Sequence, residues 1–299
     1  MDGVLPLLKP AGMTSRQCVS KVQRLLGVKK AGHTGTLDPE VTGVLPICLG
    51  KGTKLVEYLT GHNKTYEAEI TLGFSTSTED AEGDIIEEVA IHPEEVNEKN
   101  IMLTLESFQG TIIQTPPMYS AVKVNGKRLY EYAREGITVE RPSREVSIYD
   151  IALLSAPVTN DGRCTFSVRV ECSKGTYIRT LAVDIGKKLA YPAHMSTLVR
   201  SSSGPFTLQD CTTFDSIEAG TYTIMSIKDA LADLPFWQAT EAVTPSIKNG
   251  AVLLAEQLPS FTDKLCIETP DSSVIAVYIH HPEKPGMVKP DKMIVLTND

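Results

Sequence analysis

The stretch that decides how this chain is organised reads GHTGTLDPEVTGVLP, residues 32–46. Its three glycines, three threonines and two prolines predict neither a regular helix nor a regular strand. Glycine loses much backbone entropy on ordering, and proline lacks a donor and fixes its own φ. One interpretation is a catalytic or ligand-binding loop that presents Asp38. The alternative is an ordinary Asp-Pro turn, because Asp bonds to its own backbone in turns, and composition alone favours it.

A helix is predicted on the N-terminal side of this stretch. Apolar residues recur at helical spacing from Cys18 to Leu26. Thr14 or Ser15 offers an N-cap, and Gly27 is suited to end the helix in a left-handed conformation. The charged residues of this segment are then available to solvent.

Two strands are predicted at 64–72 and 164–172, where apolar and polar side chains alternate. Tyr66 lies in the first strand and, taken alone, is more often a core aromatic than a catalytic group. The second strand turns into a helix over residues 178–189, which places Arg179 in the first helical turn. The positive end of a helix dipole opposes a cation there, so we expect an anion near Arg179.

An acidic segment lies between these strands and is predicted to hold a strand at 85–86, a helix start near Pro93 and a helix over 101–108. Asp80, Glu82 and Asp84 alternate in the manner of cation ligands. The glycine and distal glutamate of an EF-hand loop are absent, so a solvated acidic face is the favoured interpretation.

An insertion over about residues 112–146 mixes aromatic side chains with positive charge. Asn125-Gly126 predicts a hairpin turn within it. Aromatics interleaved with Lys and Arg are the mixture that binds RNA, through stacked bases and phosphates. The basic and aromatic residues are Tyr119, Lys123, Lys127, Arg128, Tyr130, Arg134, Arg141 and Arg144. Several glutamates dilute them, which keeps a solvated surface helix as the alternative.

The chain is predicted to divide into a large domain, residues 1–238, and a small one, residues 239–299. From about residue 239 the apolar segments shorten to 252–254, 265–267, 274–279 and 293–296, separated by glycines and prolines. Short strands with turn residues between them predict a small all-β module.

Composition places the chain among ordinary globular proteins of the cytoplasm. Of its 299 residues 41% are hydrophobic, yet no run of eighteen apolar residues or signal peptide is found. The six cysteines are scattered, as reduced core cysteines are. The net charge of −8 argues against nucleic acid, but its distribution is uneven. Residues 1–60 hold eight Lys or Arg against four acids, whereas residues 78–106 hold ten acids and one lysine.

Five motifs occur in one order over roughly residues 3–200. They are KP with GMTS (9–10, 12–15), the stretch 32–46, KTY (64–66), PPMYSA (116–121) and GTYIR (175–179). With them the chain resembles the TruB family of tRNA pseudouridine synthases, which make pseudouridine in the T-loop of tRNA. The resemblance implies an α+β pseudouridine-synthase fold: a mixed, mainly antiparallel central sheet flanked by helices, followed by a small β-rich PUA-like RNA-binding domain.

The resemblance assigns catalytic roles to three residues. Asp38 matches the essential aspartate of the family. Tyr66 matches the tyrosine that stacks on the target base, and Arg179 matches the arginine paired with the aspartate. The family context therefore reverses the interpretation that composition favours for these positions.

The resemblance also implies substrate-binding roles. His33 matches a histidine that contacts the flipped-out nucleotides, Leu198 an apolar pocket residue, and Lys9 a motif that mainly supports the pocket. The insertion becomes a clamp on the T-arm, expected to be mobile without RNA, in which Tyr119, Lys123, Arg128 and Arg134 touch the substrate.

The partner implied is tRNA, through its T-arm stem-loop. We expect no cofactor and no metal, since isomerisation of uridine involves no net redox change and His33 has no partner at metal spacing. No membrane and no obligate protein partner is expected, and the chain is expected to act as a monomer. Two alternatives stay open: an RNA-binding or RNA-folding module with little catalysis, and an RNA-guided synthase of the archaeal or eukaryotic branch. The short chain without basic tails favours the stand-alone bacterial type.

Overall fold

The computed structural model describes residues 1–92 and 94–295. Within them the strands are β1 Gly3–Lys9, β2 Ala31–His33, β3 Thr42–Leu49, β4 Lys64–Leu72, β5 Phe74–Thr76, β6 Ile85–Glu88, β7 Gly110–Gln114, β8 Lys123–Val124, β9 Lys127–Arg128, β10 Arg144–Leu153, β11 Val158–Asn160, β12 Arg163–Cys172, β13 Ala193–Ser203, β14 Phe206–Thr207, β15 Phe236–Gln238, β16 Leu253–Leu254, β17 Lys264–Glu268, β18 Val274–His280 and β19 Met287–Met293. The α-helices are α1 Ser15–Leu26, α2 Val56–Gly61, α3 Glu98–Glu106, α4 Leu129–Arg134, α5 Ile178–Lys188, α6 Phe214–Glu218 and α7 Thr244–Lys248.

The chain forms two compact units. The first unit comprises residues 1–39, 45–60 and those from Gln209 onward, and the second comprises residues 40–44 and 61–208. Strand β3 therefore carries the chain from one unit into the other. The predicted domain boundary between residues 238 and 239 stays a prediction. The last sheet in the chain begins close to it, at β15.

The second unit is built on a mixed sheet with β4 in its middle. The strand order is β13-β4-β12-β10-β7, and these four pairings are antiparallel. A parallel pairing joins Thr42 and Gly43 at the start of β3 to Val199 and Arg200 of β13. Helix α5 packs against β13, and helix α3 packs against β10. This arrangement confirms the predicted mixed, mainly antiparallel sheet with helices on it.

Strand β4 occupies the residues that its alternation predicts, 64–72. Its apolar members, from Tyr66 to Leu72, are buried, while Glu67 between them is exposed. Strand β12 on one side and β13 on the other hold it over its whole length. A strand paired on both edges has few ways to shift its register, so the side chains of β4 have fixed positions.

Close approach of backbones fixes the start of β3. Gly43 has φ +111°, and a Cβ at this position would lie well inside van der Waals contact with the backbone of Arg200. The side chain of Arg200 is fully buried and its Nε donates to the carbonyl of Val44 at 2.7 Å. Glycine at position 43 is therefore required by both backbone conformation and space.

Replacing Gly43 by alanine is expected to destabilise the protein by about 3 kcal/mol or more. Left-handed backbone alone costs an L-residue about 1–2 kcal/mol, and the clash with Arg200 adds to it. The measurement is urea unfolding of Gly43→Ala beside Gly110→Ala. Gly110 has φ +101°, and a Cβ added there would meet open space, so Gly110→Ala measures the cost of the backbone conformation without a clash. Equal losses for both variants would contradict the close-approach argument.

In the first unit, helix α1 confirms the predicted helix, its predicted end at Gly27 and, of the two N-cap candidates, Thr14. Thr14 is the N-cap and forms a capping box with Gln17, while Gly27 ends the helix with φ +66°. The inner face of α1 packs on a core that Leu5 of β1 and Ile47 of β3 also enter. Strand β2 pairs antiparallel with β3 in the same unit.

The C-terminal sheet of the first unit has the order β15-β17-β18-β19-β16 and its own apolar core. This five-stranded sheet confirms the predicted β-rich, PUA-like module. The strand predicted at 293–296 was misplaced, since the observed strand is β19, and residues 296–299 lie outside the described residues. Pro290 within β19 is tolerated because β16 pairs with β19 only at Met287 and Val288, and because β19 has an extra residue, Asp291, where its register against β18 shifts.

The insertion of the second unit contains the predicted hairpin. Strands β8 and β9 pair antiparallel across Asn125 and Gly126, both of which have positive φ. Helix α4 follows directly. In the acidic segment, Pro93 lies outside the described residues, and α3 begins later, with Asn97 as its N-cap.

Candidate active site

The loop that carries Asp38 is anchored on both sides of this residue. On one side, the Ser15 hydroxyl accepts from the Leu37 N–H at 2.9 Å and donates to the Leu37 carbonyl at 3.2 Å. On the other side, Lys9 Nζ donates to the carbonyls of Pro39 and Pro10 at 2.7 and 2.8 Å. Lys9 is fully buried, and Asp38 is half-buried. The carboxylate is thus presented by a short segment with little backbone freedom.

His33 lies at the end of β2, on the approach to this loop. Its Nδ1 accepts from the Gly35 N–H at 3.3 Å, so Nδ1 carries no proton in this bond. The next residue, Thr34, is buried, and its N–H donates to the carbonyl of Pro46 at 3.2 Å. His33 therefore shapes the loop it belongs to. Its predicted contact with flipped-out nucleotides stays a prediction.

Removal of the Ser15 hydroxyl is expected to loosen the loop. Ser15→Ala leaves the buried Leu37 amide without its partner, and such a loss costs about 1–3 kcal/mol. Ser20→Ala is the matched control, because Ser20 is an exposed serine of the same helix. We expect the free energy of unfolding to fall for Ser15→Ala alone, as measured by urea denaturation. Equal stability of the two variants would show that Ser15 does not anchor Leu37.

Tyr66 and Leu198 lie on one face of the sheet in the second unit. Tyr66 of β4 is paired with Arg200 of β13, and Ala68 of β4 is paired with Leu198. Directly paired residues share a face, and so do residues two apart on one strand. The pair is therefore a diagonal neighbour pair, with Tyr66 9% exposed and Leu198 half-buried.

Lys64, at the start of the same strand, is a buried cation. Its Nζ donates to the carbonyl of His62 at 2.7 Å, and its side chain is almost fully buried. Burial, and to a smaller extent the charge of Arg200, lower the pKa of Lys64 from 10.5 to about 8. Lys64, the first residue of the KTY motif, thus lies near a second buried cation, Arg200.

The lowered pKa of Lys64 predicts a pH dependence of stability. Between pH 8 and 10.5 the unfolded chain binds a proton at Lys64 that the folded chain has released, so folding becomes more favourable as pH rises. The free energy of unfolding of wild type, minus that of Lys64→Met, is expected to increase by about 1–3 kcal/mol from pH 7 to pH 10. Urea titrations at several pH values measure it. A flat difference would mean that Lys64 titrates normally in the folded protein.

Arg179 is held by three oxygen partners at the start of α5. Its guanidinium donates to the carbonyls of Thr78 and Tyr119 at 2.9 and 2.8 Å, and lies 3.5 Å from a carboxylate oxygen of Asp80. Only 5% of its side chain is exposed. The Tyr119 contact ties the arginine to the insertion. The predicted anion near Arg179 is confirmed, and Asp80 supplies one.

The favoured interpretation of Asp80 as part of a solvated acidic face is wrong. Its side chain is 18% exposed, whereas Glu82 and Asp84 are exposed. Its neighbour Glu79 has φ +64° and accepts from the Thr180 hydroxyl at 2.9 Å. Desolvation raises the pKa of Glu79. Two carboxylates thus meet the first turn of α5, where the helix dipole favours negative charge and offsets the arginine.

Most basic side chains of the insertion contact an aromatic ring, a carboxylate or a backbone carbonyl of the second unit. Arg128 donates to the Tyr130 hydroxyl at 3.0 Å, and Arg134 lies 5.3 Å from the centre of the Tyr130 ring. Lys123 and Tyr119 are exposed. Three further cations bind acceptors within the second unit: Lys127 binds Glu135, Arg141 binds the Pro116 carbonyl, and Arg144 binds the Gly175 carbonyl.

The predicted site residues fall into two groups. Lys9, His33 and Asp38 belong to the first unit, and the structure brings them to one loop and its support. Tyr66, Leu198, Arg179 and Tyr119 belong to the second unit, as do Lys123, Arg128 and Arg134. The meeting of Asp38 with Tyr66 and Arg179 stays a prediction. Among residues 1–92 and 94–295, no cluster of three potential metal ligands and no helix able to span a membrane occurs.

Comparison with known families gives two matches. Residues 23–178 match the TruB family pseudouridylate synthase N-terminal domain, and residues 179–234 match the tRNA pseudouridylate synthase B C-terminal domain. The chain belongs to the TruB family of tRNA pseudouridine synthases. The predicted family, and with it the enzyme class, an isomerase, are confirmed.

TruB relatives with curated names are similar over nearly their whole length. The tRNA pseudouridine synthase B of Geobacillus thermodenitrificans is 54% identical, with 98% of this chain and 99% of the relative covered. The protein of the same name from Bacillus subtilis is 50% identical, with 99% and 98% covered.

Solved structures share the fold of this TruB chain. A chain of a Cbf5-Nop10-Gar1 complex superposes with a TM-score of 0.71 at 28% identity, covering 99% of this chain and 86% of that one. A chain of an H/ACA ribonucleoprotein bound to a substrate RNA containing 2'-deoxyuridine gives 0.71 at 27% identity, with 98% and 85% covered. The predicted pseudouridine-synthase fold is confirmed.

Proposed function

We propose that this protein converts the uridine at position 55, in the T-loop of tRNA, to pseudouridine, with Asp38 as the catalytic carboxylate. The observation that carries the proposal is the anchoring of Leu37 and Pro39 by Ser15 and Lys9, which gives Asp38 a fixed backbone in a chain of the TruB family. An Asp-Pro turn with no further role would not require a buried ammonium to hold it.

The reaction is an isomerisation in which atoms and electrons balance within the nucleotide. The N1–C1′ bond breaks, the uracil turns, and a C5–C1′ bond forms, while C5 loses a proton and N1 gains one. The base must leave the RNA stack for protein groups to reach these atoms. Asp38 serves as nucleophile at C1′ or C6, or as base at C2′, and all three roles use its ionised form.

Arg179 is proposed to keep the Asp38 carboxylate ionised. A desolvated carboxyl tends to take up a proton, and a neighbouring guanidinium opposes this. The pairing of Arg179 with Asp80, Thr78 and Tyr119 supports the proposal, because it fixes the direction of the guanidinium before substrate arrives.

Tyr66 and Leu198 are proposed to hold the uracil while it turns. Their position as diagonal neighbours on one sheet face supports this role, since stacking of a base on an aromatic ring is worth about 1–3 kcal/mol. Tyr119, Lys123, Arg128 and Arg134 of the insertion, with His33 of the loop, are proposed to grip the T-arm.

The substrate partner is proposed to be tRNA alone, with the protein acting as a cytoplasmic monomer without cofactor or metal. Relatives about 50% identical over nearly their full length, all named tRNA pseudouridine synthase B, support this. The likeness to a chain of a Cbf5-Nop10-Gar1 complex favours a second candidate, synthesis guided by RNA with partner proteins. Activity of the purified chain on unmodified tRNA without a guide decides between them.

The decisive test is conversion of a T-loop uridine in unmodified tRNA. We expect wild type to release tritium from C5-labelled uridine, and Asp38→Asn to bind the same RNA without release. RNA binding by wild type with no release would leave an RNA-binding or RNA-folding module as the function.

Arg179→Ala is expected to lose turnover while largely keeping RNA affinity. Loss of one preorganised charge partner typically lowers kcat by about 100-fold or more. The Kd for tRNA is expected to change by less than about 3-fold. Single-turnover tritium release and filter binding give the two values.

Arg169→Ala is the control for this variant, because Arg169 is an exposed arginine of the same unit paired with Asp150. Collapse of binding by Arg179→Ala with turnover of the bound RNA preserved would contradict the role given to Arg179.

A further inference from the structure

The outward face of helix α1 carries only positive charge. At 100° per residue, Arg16, Lys21 and Arg24 fall within one sector of about 140°. The buried residues Cys18 and Val22 occupy the opposite side. An open concavity of 430 Å³ runs along the outward sector. It is lined by Met13, Thr14, Arg16, Gln17, Ser20, Lys21 and Arg24.

This charge is scarcely neutralised by the protein itself. Residues 3–37 contain no Asp or Glu, in a chain whose net charge is −8. Lys21 is 3.8 Å from Glu218 of α6 and lies over the Phe214 ring. For Arg16 and Arg24, both exposed, no ion pair with any described residue is found. Acids are thus absent from the stretch of sequence that carries this face, while they accumulate in residues 78–106.

Two further cations follow directly after the helix. Lys29 and Lys30, two and three residues after Gly27, are exposed. Gln23 donates to the Lys29 carbonyl at 3.1 Å, and the Lys30 carbonyl accepts from the Gly50 N–H at 2.9 Å. The backbone that carries both lysines is therefore fixed to the first unit. Because a helix and an ordered turn carry these charges, binding does not have to order the backbone at these positions.

We propose that this basic face, formed by Arg16, Lys21, Arg24, Lys29 and Lys30, binds phosphates of the substrate RNA away from the nucleotide that reacts. The proposal rests on the proposed function, in which the substrate is RNA. Phosphate contacts by Arg and Lys add affinity without reading sequence, because binding releases counterions from the nucleic acid. The surface sets how tightly RNA is held rather than which uridine reacts.

Salt dependence of RNA binding tests the proposal. Each phosphate contact contributes about 0.7–0.9 to the slope of log K against log salt. The double variant Arg16→Gln/Arg24→Gln is expected to lower the slope for full-length unmodified tRNA by about 1.4–1.8 and to weaken binding at 0.15 M salt by about 10-fold. Both positions are exposed, and glutamine keeps helix propensity, which circular dichroism verifies.

The matched control is Lys99→Gln/Lys187→Gln, which removes the same charge from exposed positions of α3 and α5. It is expected to keep the wild-type slope. An equal slope for wild type and Arg16→Gln/Arg24→Gln, or equal losses in the two double variants, would overturn the proposal. These outcomes are read in a protein that releases tritium from C5-labelled tRNA. Absence of that release in wild type would instead overturn the proposed function.

Discussion

The buried ammonium of Lys9 is the interaction on which the candidate catalytic loop depends. A lysine at 0% exposure is costly unless its donors are satisfied, and two of its acceptors are the carbonyls of Pro10 and Pro39. Both proline residues lie outside the strands, so among the described residues their carbonyls accept no hydrogen bond from a neighbouring strand. The cation thus joins the end of β1 to the residue after Asp38, and the loop conformation and the charge stabilise each other.

Charged groups also stabilise one another around Arg179 in the second unit. A cation at a helix N-terminus and two carboxylates near it would each be unfavourable alone. Together they are favourable, because Glu79 and Asp80 place negative charge at the positive end of the α5 dipole, and Asp80 forms an ion pair with Arg179. The polar groups of this region form one network, so a change in any member alters the others.

Local patterns predicted much of this structure. The caps of α1 and the alternation of β4 depend on contacts a few residues apart or on one sheet face. Gly27 and the bounds of β4 were predicted at the right positions, and Thr14 was one of two N-cap candidates. The role of Asp80 was not, because its partner Arg179 is 99 residues away, and nothing in TSTED distinguishes a paired carboxylate from a solvated one. Strand β19 was misplaced because the prediction followed the apolar run 293–296, whereas the observed strand, Met287–Met293, contains no such run and is held by its pairing with β18 and β16.

Two adjacent residues of helix α1 face different sides of the helix, one toward the protein and one toward solvent. Ser15 points inward to Leu37 of the loop that carries Asp38, and Arg16, the next residue, is exposed to solvent. Both belong to the first turn, which frays more easily than the middle of a helix. A polyanion bound to the outer face only when this turn is ordered stabilises the turn by mass action. If RNA occupies this face as proposed, its binding would also make the support of Asp38 more rigid, and by linkage an ordered loop would bind RNA more tightly.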